Sequence, residues 1–300
     1  MVPDQTPAQY RAGVIGQPIA HSKSPLLHSA AYAFLGLDCS YTAIDTSPDS
    51  LKDRVAEVRA NPAWRGLSVT MPHKAASLPL MDELGPGVAE LGVINTVRAV
   101  GTGQQRRLMG YNTDIDGIVR AVRHAGAGSP KEALVLGGGG TASAAVAALA
   151  RMGVERAQIC ARSPQKAESL AELGRRLGIA VKLSGFSEAA ELCGSSSLVI
   201  STLPPHGADE LAGALGAAAA RDDAGLRSDS DPRVLLDVAY DPWPSALARA
   251  WSSLGGVIVP GLEMLLYQAV EQVKLFAGDA FREESAVINV MCDAVGAPRR

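Results

Sequence analysis

Hydroxyl, amide, amine and carboxylate side chains gather where apolar runs of this chain give way to turns. Gly16-Gln17-Pro18-Ile19-Ala20-His21-Ser22-Lys23-Ser24-Pro25 leaves one such run. It opens a helical pattern in which Leu27, Ala30, Ala31, Phe34 and Leu35 recur at helical spacing before Gly36. Ser24 followed by Pro25 reads as N-cap and first helical residue, so capping accounts for Ser24 and not for Ser22. Two hydroxyls beside a helix N-terminus make a seat for a small carboxylate. Ser68-Val69-Thr70-Met71-Pro72-His73-Lys74 ends a strand in a turn bearing Thr70 and Lys74. A lone lysine there is ordinarily a solvated charge. Gly92-Val93-Ile94-Asn95-Thr96-Val97 and Gly110-Tyr111-Asn112-Thr113-Asp114 each put an asparagine at a strand edge. Asp114 and Asp116 suit the first turn of a helix, where the dipole favours carboxylates. One at a time, these residues lean towards structural readings.

A second kind of chemistry is carried by Ala133–Ala142, ALVLGGGGTA. An apolar run precedes Gly137, Gly138, Gly139, Gly140, Thr141 and Ala142, and an alanine-rich helical pattern continues to Met152. Strand, glycine turn and helix are the context of a dinucleotide fingerprint. Gly137 allows the tight turn, Gly139 the approach of a pyrophosphate, and Ala142 close packing of helix on strand. The helix N-terminus then offers N–H groups and the positive dipole end to the phosphates. An NAD site calls for an acid about 20 residues after the first glycine. Here the chain reads Cys160-Ala161-Arg162-Ser163, with Lys166 one turn on. Glu155 comes too early and Glu168 lies in the following helix. A guanidinium at that place suits a 2′-phosphate, which favours NADP.

These residues need rigid elements to hold them. With 300 residues, 47% hydrophobic and 20% charged, there is material for a core and for two ordinary domains. The balance of 28 Lys+Arg against 31 Asp+Glu, net -3, supplies no field for nucleic acid or an anionic membrane. Cys39, Cys160, Cys193 and Cys292 are scattered, which argues against a zinc site or disulfide framework. Residues 1–13 lack an apolar signal core, and 133–150 are too short and glycine-rich to span a membrane. A cytoplasmic location is expected.

Strand patterns fall at Ala12–Ile15, Tyr41–Asp45, Leu67–Thr70, Ala133–Leu136, Gln158–Ala161, Leu198–Thr202, Val234–Val238 and Val257–Val259. Helical patterns fall near 25–35, 50–60, 115–125, 141–152, 165–177, 245–253 and 261–277, with another beyond Arg282. The alternation predicts an α/β fold with largely parallel sheets. It divides into an N-terminal α/β domain (1–113, rejoined by 261–300) and a Rossmann-like, doubly wound nucleotide domain (114–260). The latter half of 213–232 reads as a mobile surface connection.

Taken in order, GQPIAHSKSP, GLSVTMPHK, GVINTV, GYNTD, the GGGGTA turn, LLDVAYDPWPS and GLEMLLYQA resemble the shikimate dehydrogenase family over nearly the whole chain. The resemblance implies NADPH-dependent, reversible reduction of 3-dehydroshikimate to shikimate without a metal, in aromatic biosynthesis. On this chain it assigns Ser22 and Ser24 to the substrate carboxylate and Thr70, Asn95, Asp114 and Gln268 to the ring hydroxyls. Tyr240 would close over the site, and Lys74 and Asp114 would be the catalytic pair, Lys74 donating the proton a developing alkoxide needs. The cofactor would meet residues 137–142, Ala161, Arg162, Ser163, Lys166 and Gly261. A small-molecule substrate and a monomer or homodimer are the expected partners. On a helical wheel Gln268 lies opposite the face of Leu262, Leu265, Leu266, Ala269, Val270 and Val273, which fits a cleft or an exposed glutamine equally. Three stretches depart from the family: Ala161 replaces a usual asparagine, 201–206 reads STLPPH, and 213–232 is long. Rival readings are an NAD-linked quinate/shikimate dehydrogenase, a reductase of an amino analogue, and a nucleotide-binding regulatory protein that lost catalysis.

Overall fold

The computed structural model describes residues 9–220 and 232–300. They form two compact units, one of residues 9–113 with 268–300, the other of residues 114–220 with 232–267.

In the first unit the chain runs β1 (Tyr10–Gly16), α1 (Ser24–Leu35), β2 (Cys39–Asp45), α2 (Leu51–Ala60) and β3 (Trp64–Val69). It continues through β4 (Glu83–Leu84), α3 (Val88–Leu91), β5 (Thr96–Val100) and β6 (Arg107–Tyr111). The sheet order is β2-β1-β3-β5-β6-β4. β1 is parallel to both neighbours, but β5 runs antiparallel to β3 and β6. The largely parallel pairing expected is therefore interrupted at β5, while β4 is again parallel to β6. Residues 101–106, between β5 and β6, are too few for a parallel crossover. The core joins Ile15, Leu67, Val69, Ile94, Val97 and Leu108 to Leu51, Val55 and Val58 of α2.

Pairing brings strand ends together. Thr70 N–H donates to Ile15 O at 2.9 Å, Val69 N–H to Asn95 O at 2.7 Å, and Asn95 N–H to Tyr111 O at 3.0 Å. Thr70, Asn95 and the Asn112–Thr113 turn thus emerge at one edge.

The second unit runs α4 (Asp114–His124), β7 (Glu132–Leu136), α5 (Gly140–Met152), β8 (Arg156–Ala161), α6 (Glu168–Arg176), β9 (Ala180–Gly185) and α7 (Ala189–Ser195). Then come β10 (Leu198–Ser201), α8 (Asp209–Ala220), β11 (Val234–Asp237), α9 (Ala246–Ser253), β12 (Val257–Pro260) and α10 (Gly261–Ala277). Its sheet is wholly parallel, in the order β12-β11-β10-β7-β8-β9. That is the doubly wound order, which reverses direction between β7 and β10. Leu134, Val135, Leu136, Val199, Ile200, Leu235 and Leu236 are fully buried, as strands covered on both faces must be.

α10 carries the chain across the division at Tyr267/Gln268 and back to the first unit. There α11 (Glu284–Val295) packs on α1. A Cβ at Gly66 would strike the Val97 carbonyl and the Phe276 ring, so α10 lies directly on β3.

Of the stretch 213–232, residues up to Ala220 belong to α8, and the expected mobile connection falls outside the described residues. The N-terminal eight residues lie outside them too. Among the described residues no helix is long and apolar enough to cross a membrane, and none of the four cysteines is in a disulfide.

Candidate functional site

The loop after β1 differs from its sequence reading. α1 begins at Ser24 itself, because Lys23 already has helical φ and ψ of -86° and -5° and takes the cap position. Ser24 is inside the first turn, buried, and does not cap. Its N–H instead donates to Ser22 Oγ at 3.3 Å. Ser22 is thus the hydroxyl that serves the helix start, and the Ser24 side chain lies beside the Tyr41 hydroxyl.

At the strand ends the amides form one buried cluster. Asn95 Nδ2 donates to Thr113 Oγ1 at 2.9 Å and to Gln268 Oε1 at 3.2 Å. Asn95 Oδ1 accepts the Thr113 N–H at 2.8 Å and the Thr96 hydroxyl at 2.8 Å. Gln268 is only 6% exposed, which decides its wheel position in favour of a packed, bonded face. Thr70 and Lys74 are half-buried. The main chain at Lys74 is pinned, since its carbonyl accepts the Ile94 N–H at 3.0 Å, and buried His73 faces Thr46 O through Nε2 at 2.6 Å. Asp114 is buried as the first residue of α4 and belongs, with Tyr240, to the second unit.

Sequence reasoning missed a polar layer behind this cluster. His28, Tyr41, Ser68 and Gln272 are all buried and hydrogen-bonded to one another. The signal was present: His28 stands one helical turn after Ser24, and Gln272 one turn after Gln268, each a polar residue on a covered face. Burial drives the His28 pKa from 6.5 down to about 3 against the Gln272 hydrogen bond, and it pushes the Tyr41 phenol up. Both rings are neutral at pH 7.

In the second unit the glycine turn sits at the end of β7, where the sheet order reverses. Gly137 has φ +114°, and a Cβ there would run into the Thr202 hydroxyl, which donates to Leu136 O at 2.9 Å. Around a Cβ built on Gly139, nothing lies within 4 Å, so that main chain is open to a close ligand. α5 starts at Gly140 with no side-chain cap on its first N–H groups, and Ala142 is fully buried against the sheet. At the end of β8, Arg162 is exposed and Ser163 half-buried, with no acid between Ala161 and Ala167. The Lys166 side chain lies outside the described residues. These features fit a pyrophosphate on the turn and a phosphorylated ribose beyond β8.

Asp237, at the end of β11, accepts the Ser245 hydroxyl at 2.6 Å and the Ala239 N–H at 3.3 Å, and burial raises its carboxyl above the usual range. Ser245 Oγ also accepts the Ala248 N–H at 3.0 Å as the cap of α9. Together they hold the two ends of the loop that carries Tyr240, whose phenol burial pushes upward. Gly261 is packed so closely that a Cβ would strike the Val238 carbonyl.

A doubly wound sheet with an open glycine turn at its switch point, attached to an α/β unit rich in buried amides, defines a two-unit α/β protein of the dinucleotide-binding dehydrogenase class. Comparison with known proteins narrows the class. The family model for the shikimate dehydrogenase substrate binding domain matches residues 14–97. The shikimate dehydrogenase (NADP(+)) of Rubrobacter xylanophilus is 37% identical over 278 residues, 89% of this chain and 90% of that protein. Shikimate dehydrogenase from Mycobacterium tuberculosis superposes with a TM-score of 0.79 at 39% identity, over 95% of this chain and 99% of that one. The shikimate 5-dehydrogenase of Thermus thermophilus, in complex with NADP(H) and shikimate, gives 0.74 at 30% identity, over 95% and 99%. The chain belongs to the shikimate dehydrogenase family.

Proposed function

We propose that this protein catalyses the NADP-dependent, reversible interconversion of 3-dehydroshikimate and shikimate. The unit built on the first sheet is the substrate domain, and the doubly wound unit holds NADP. The observation that carries this reading is the buried set of Asn95, Thr113 and Gln268 at the strand ends where Thr70 also emerges. Carboxamides offer donors and acceptors together, which is what a ring bearing several hydroxyls requires.

Each residue then has a task. Ser22 and Ser24 receive the carboxylate at the start of α1. Thr70, Asn95, Asp114 and Gln268 orient the ring hydroxyls. The turn from Gly137 to Ala142 takes the pyrophosphate, Ala161 and Gly261 line the nucleotide's path, and Arg162, Ser163 and Lys166 take the 2′-phosphate. When bound, NADPH supplies hydride to the ring ketone. Lys74 holds a proton on Nζ for the oxygen that gains charge, and Asp114 orients that ammonium group while accepting from the neighbouring hydroxyl. Tyr240, held by the Asp237–Ser245 loop, helps exclude water. Acting on a small acid, the enzyme works in the cytoplasm as a monomer or homodimer.

The test is the rate of nicotinamide reduction with shikimate or quinate, each with NADP and with NAD. Shikimate with NADP should exceed the other three combinations by at least an order of magnitude. Equal rates with quinate, or a preference for NAD, would move the chain to the catabolic reading, and silence in all four would remove the activity altogether.

A further inference from the structure

We propose that Gln272, which has no task in the reaction above, is a positioning residue that fixes how Asn95 and Gln268 present their amides to substrate. The inference rests on the reading of those two residues as substrate ligands.

A carboxamide fits its pocket nearly as well in either of two orientations, and its hydrogen-bond partners decide between them. Gln272 has one partner without a choice. Its Nε2 lies 3.2 Å from the main-chain carbonyl of Asn95, which can only accept. Nε2 therefore donates there and, at 3.0 Å, to Thr96 Oγ1. The opposite face follows: Oε1 accepts the Ser68 hydroxyl at 2.7 Å and faces His28 Nε2 at 3.2 Å. All four bonding positions of the carboxamide are thereby filled.

The direction set at Gln272 passes outward along two branches. On one, Thr96 Oγ1 accepts from Gln272 and so spends its own proton on Asn95 Oδ1, at 2.8 Å. That holds Oδ1 inward and turns Asn95 Nδ2 toward Thr113 and Gln268. On the other, Ser68 accepts the Tyr41 hydroxyl at 2.6 Å, and Tyr41 stacks on the His28 ring at 3.9 Å between centroids. His28 must then carry its single proton on Nε2, with Nδ1 accepting from the Tyr32 hydroxyl at 3.3 Å. Gln272 stands one turn after Gln268 on α10, so the same four bonds set the rotation of the helix that presents Gln268. It ties β3, β5 and α10 at the point where the candidate ligands leave them.

The test uses the full-length protein with Gln272→Leu and Gln272→Glu. Gln272→Leu removes every bond while keeping the bulk, and the KM for shikimate should rise about tenfold with the KM for NADP unchanged. A purely structural role would lower the amount of active enzyme and leave both KM values alone, and that result would overturn the proposal. Gln272→Glu keeps the shape but places a titratable acceptor against the Asn95 carbonyl. Relative to wild type, its kcat/KM for shikimate should fall as pH rises and the carboxyl ionises; a flat ratio would count against the proposal. This second variant serves if the first fails to fold. Nitrogen NMR of the His28 ring gives a readout independent of turnover, where a neutral ring protonated on Nε2 is expected and an Nδ1–H ring would overturn the orientation of Gln272. An inert wild type would refute the proposed activity, whereas an active wild type with unchanged Gln272→Leu kinetics refutes this inference alone.

Discussion

Replacing His28 should remove a defined part of the protein's sensitivity to acid. The imidazole is completely buried between Tyr32, Tyr41 and Gln272, and burial lowers its pKa from 6.5 to about 3. The unfolded chain therefore takes up a proton below pH 6.5 that the folded chain refuses until about pH 3. The group costs nothing above pH 6.5, and stability falls as pH drops through the interval between the two values. Each pH unit in that interval is worth about 1.4 kcal/mol, so wild type should lose about 2 kcal/mol through this residue between pH 7 and pH 5. His28→Gln keeps a neutral polar group with no titration. Its stability at pH 7 should be lower, since the stacking on Tyr41 and part of the hydrogen bonding go, but its further loss on going to pH 5 should be smaller by that 2 kcal/mol. Urea unfolding at both pH values, followed by hydrogen exchange in peptides from β1 and β3, reads the first unit by itself. If wild type and variant lose stability in parallel, the ring is not held neutral in the folded protein, and burial of His28 is not a source of its acid sensitivity.

Other changes probe each half of the proposed activity. Lys74→Ala should lower kcat by about 10²–10⁴-fold with little change in the dissociation constant of shikimate, measured by initial rates and calorimetry; a variant with wild-type kcat would remove Lys74 from the chemistry. Arg162→Glu should weaken NADP by about tenfold or more while sparing NAD, since a carboxylate repels a 2′-phosphate and accepts a 2′-hydroxyl. Equal losses for both nucleotides would place Arg162 away from the ribose. Ser245→Ala loses both the cap of α9 and the hydrogen bond to buried Asp237. It should cost about 1–2 kcal/mol, read as a lower Tm in thermal unfolding, and an unchanged Tm would show the cap to be dispensable.

How much of this was legible from residues alone depended on the range of the interaction concerned. The glycine turn between β7 and α5 was, because strand, tight turn and helix N-terminus follow one another within 20 residues. So were the lack of an acid after β8 and most strands that are apolar on both faces. β9, half exposed at the sheet edge, and the short α7 escaped because neither carries a strong apolar period. The cap of α1 was misread through a shift of one residue, which local sequence does not resolve when Lys23 itself turns helical.

What only the tertiary structure decided is the order of strands and everything that order brings together. The antiparallel insertion of β5 beside β3 sets Thr96 opposite Ser68 and the Asn95 carbonyl on Val69, and the return of α10 adds Gln268 and Gln272 from some 170 residues away. Periodicity can mark a glutamine as lying off the apolar face, as it did for Gln268, but it cannot say whether water or another amide meets it there. For Gln268 that is settled by the Asn95 carboxamide and the Thr113 hydroxyl, which reach their places through sheet pairing between segments distant in the chain.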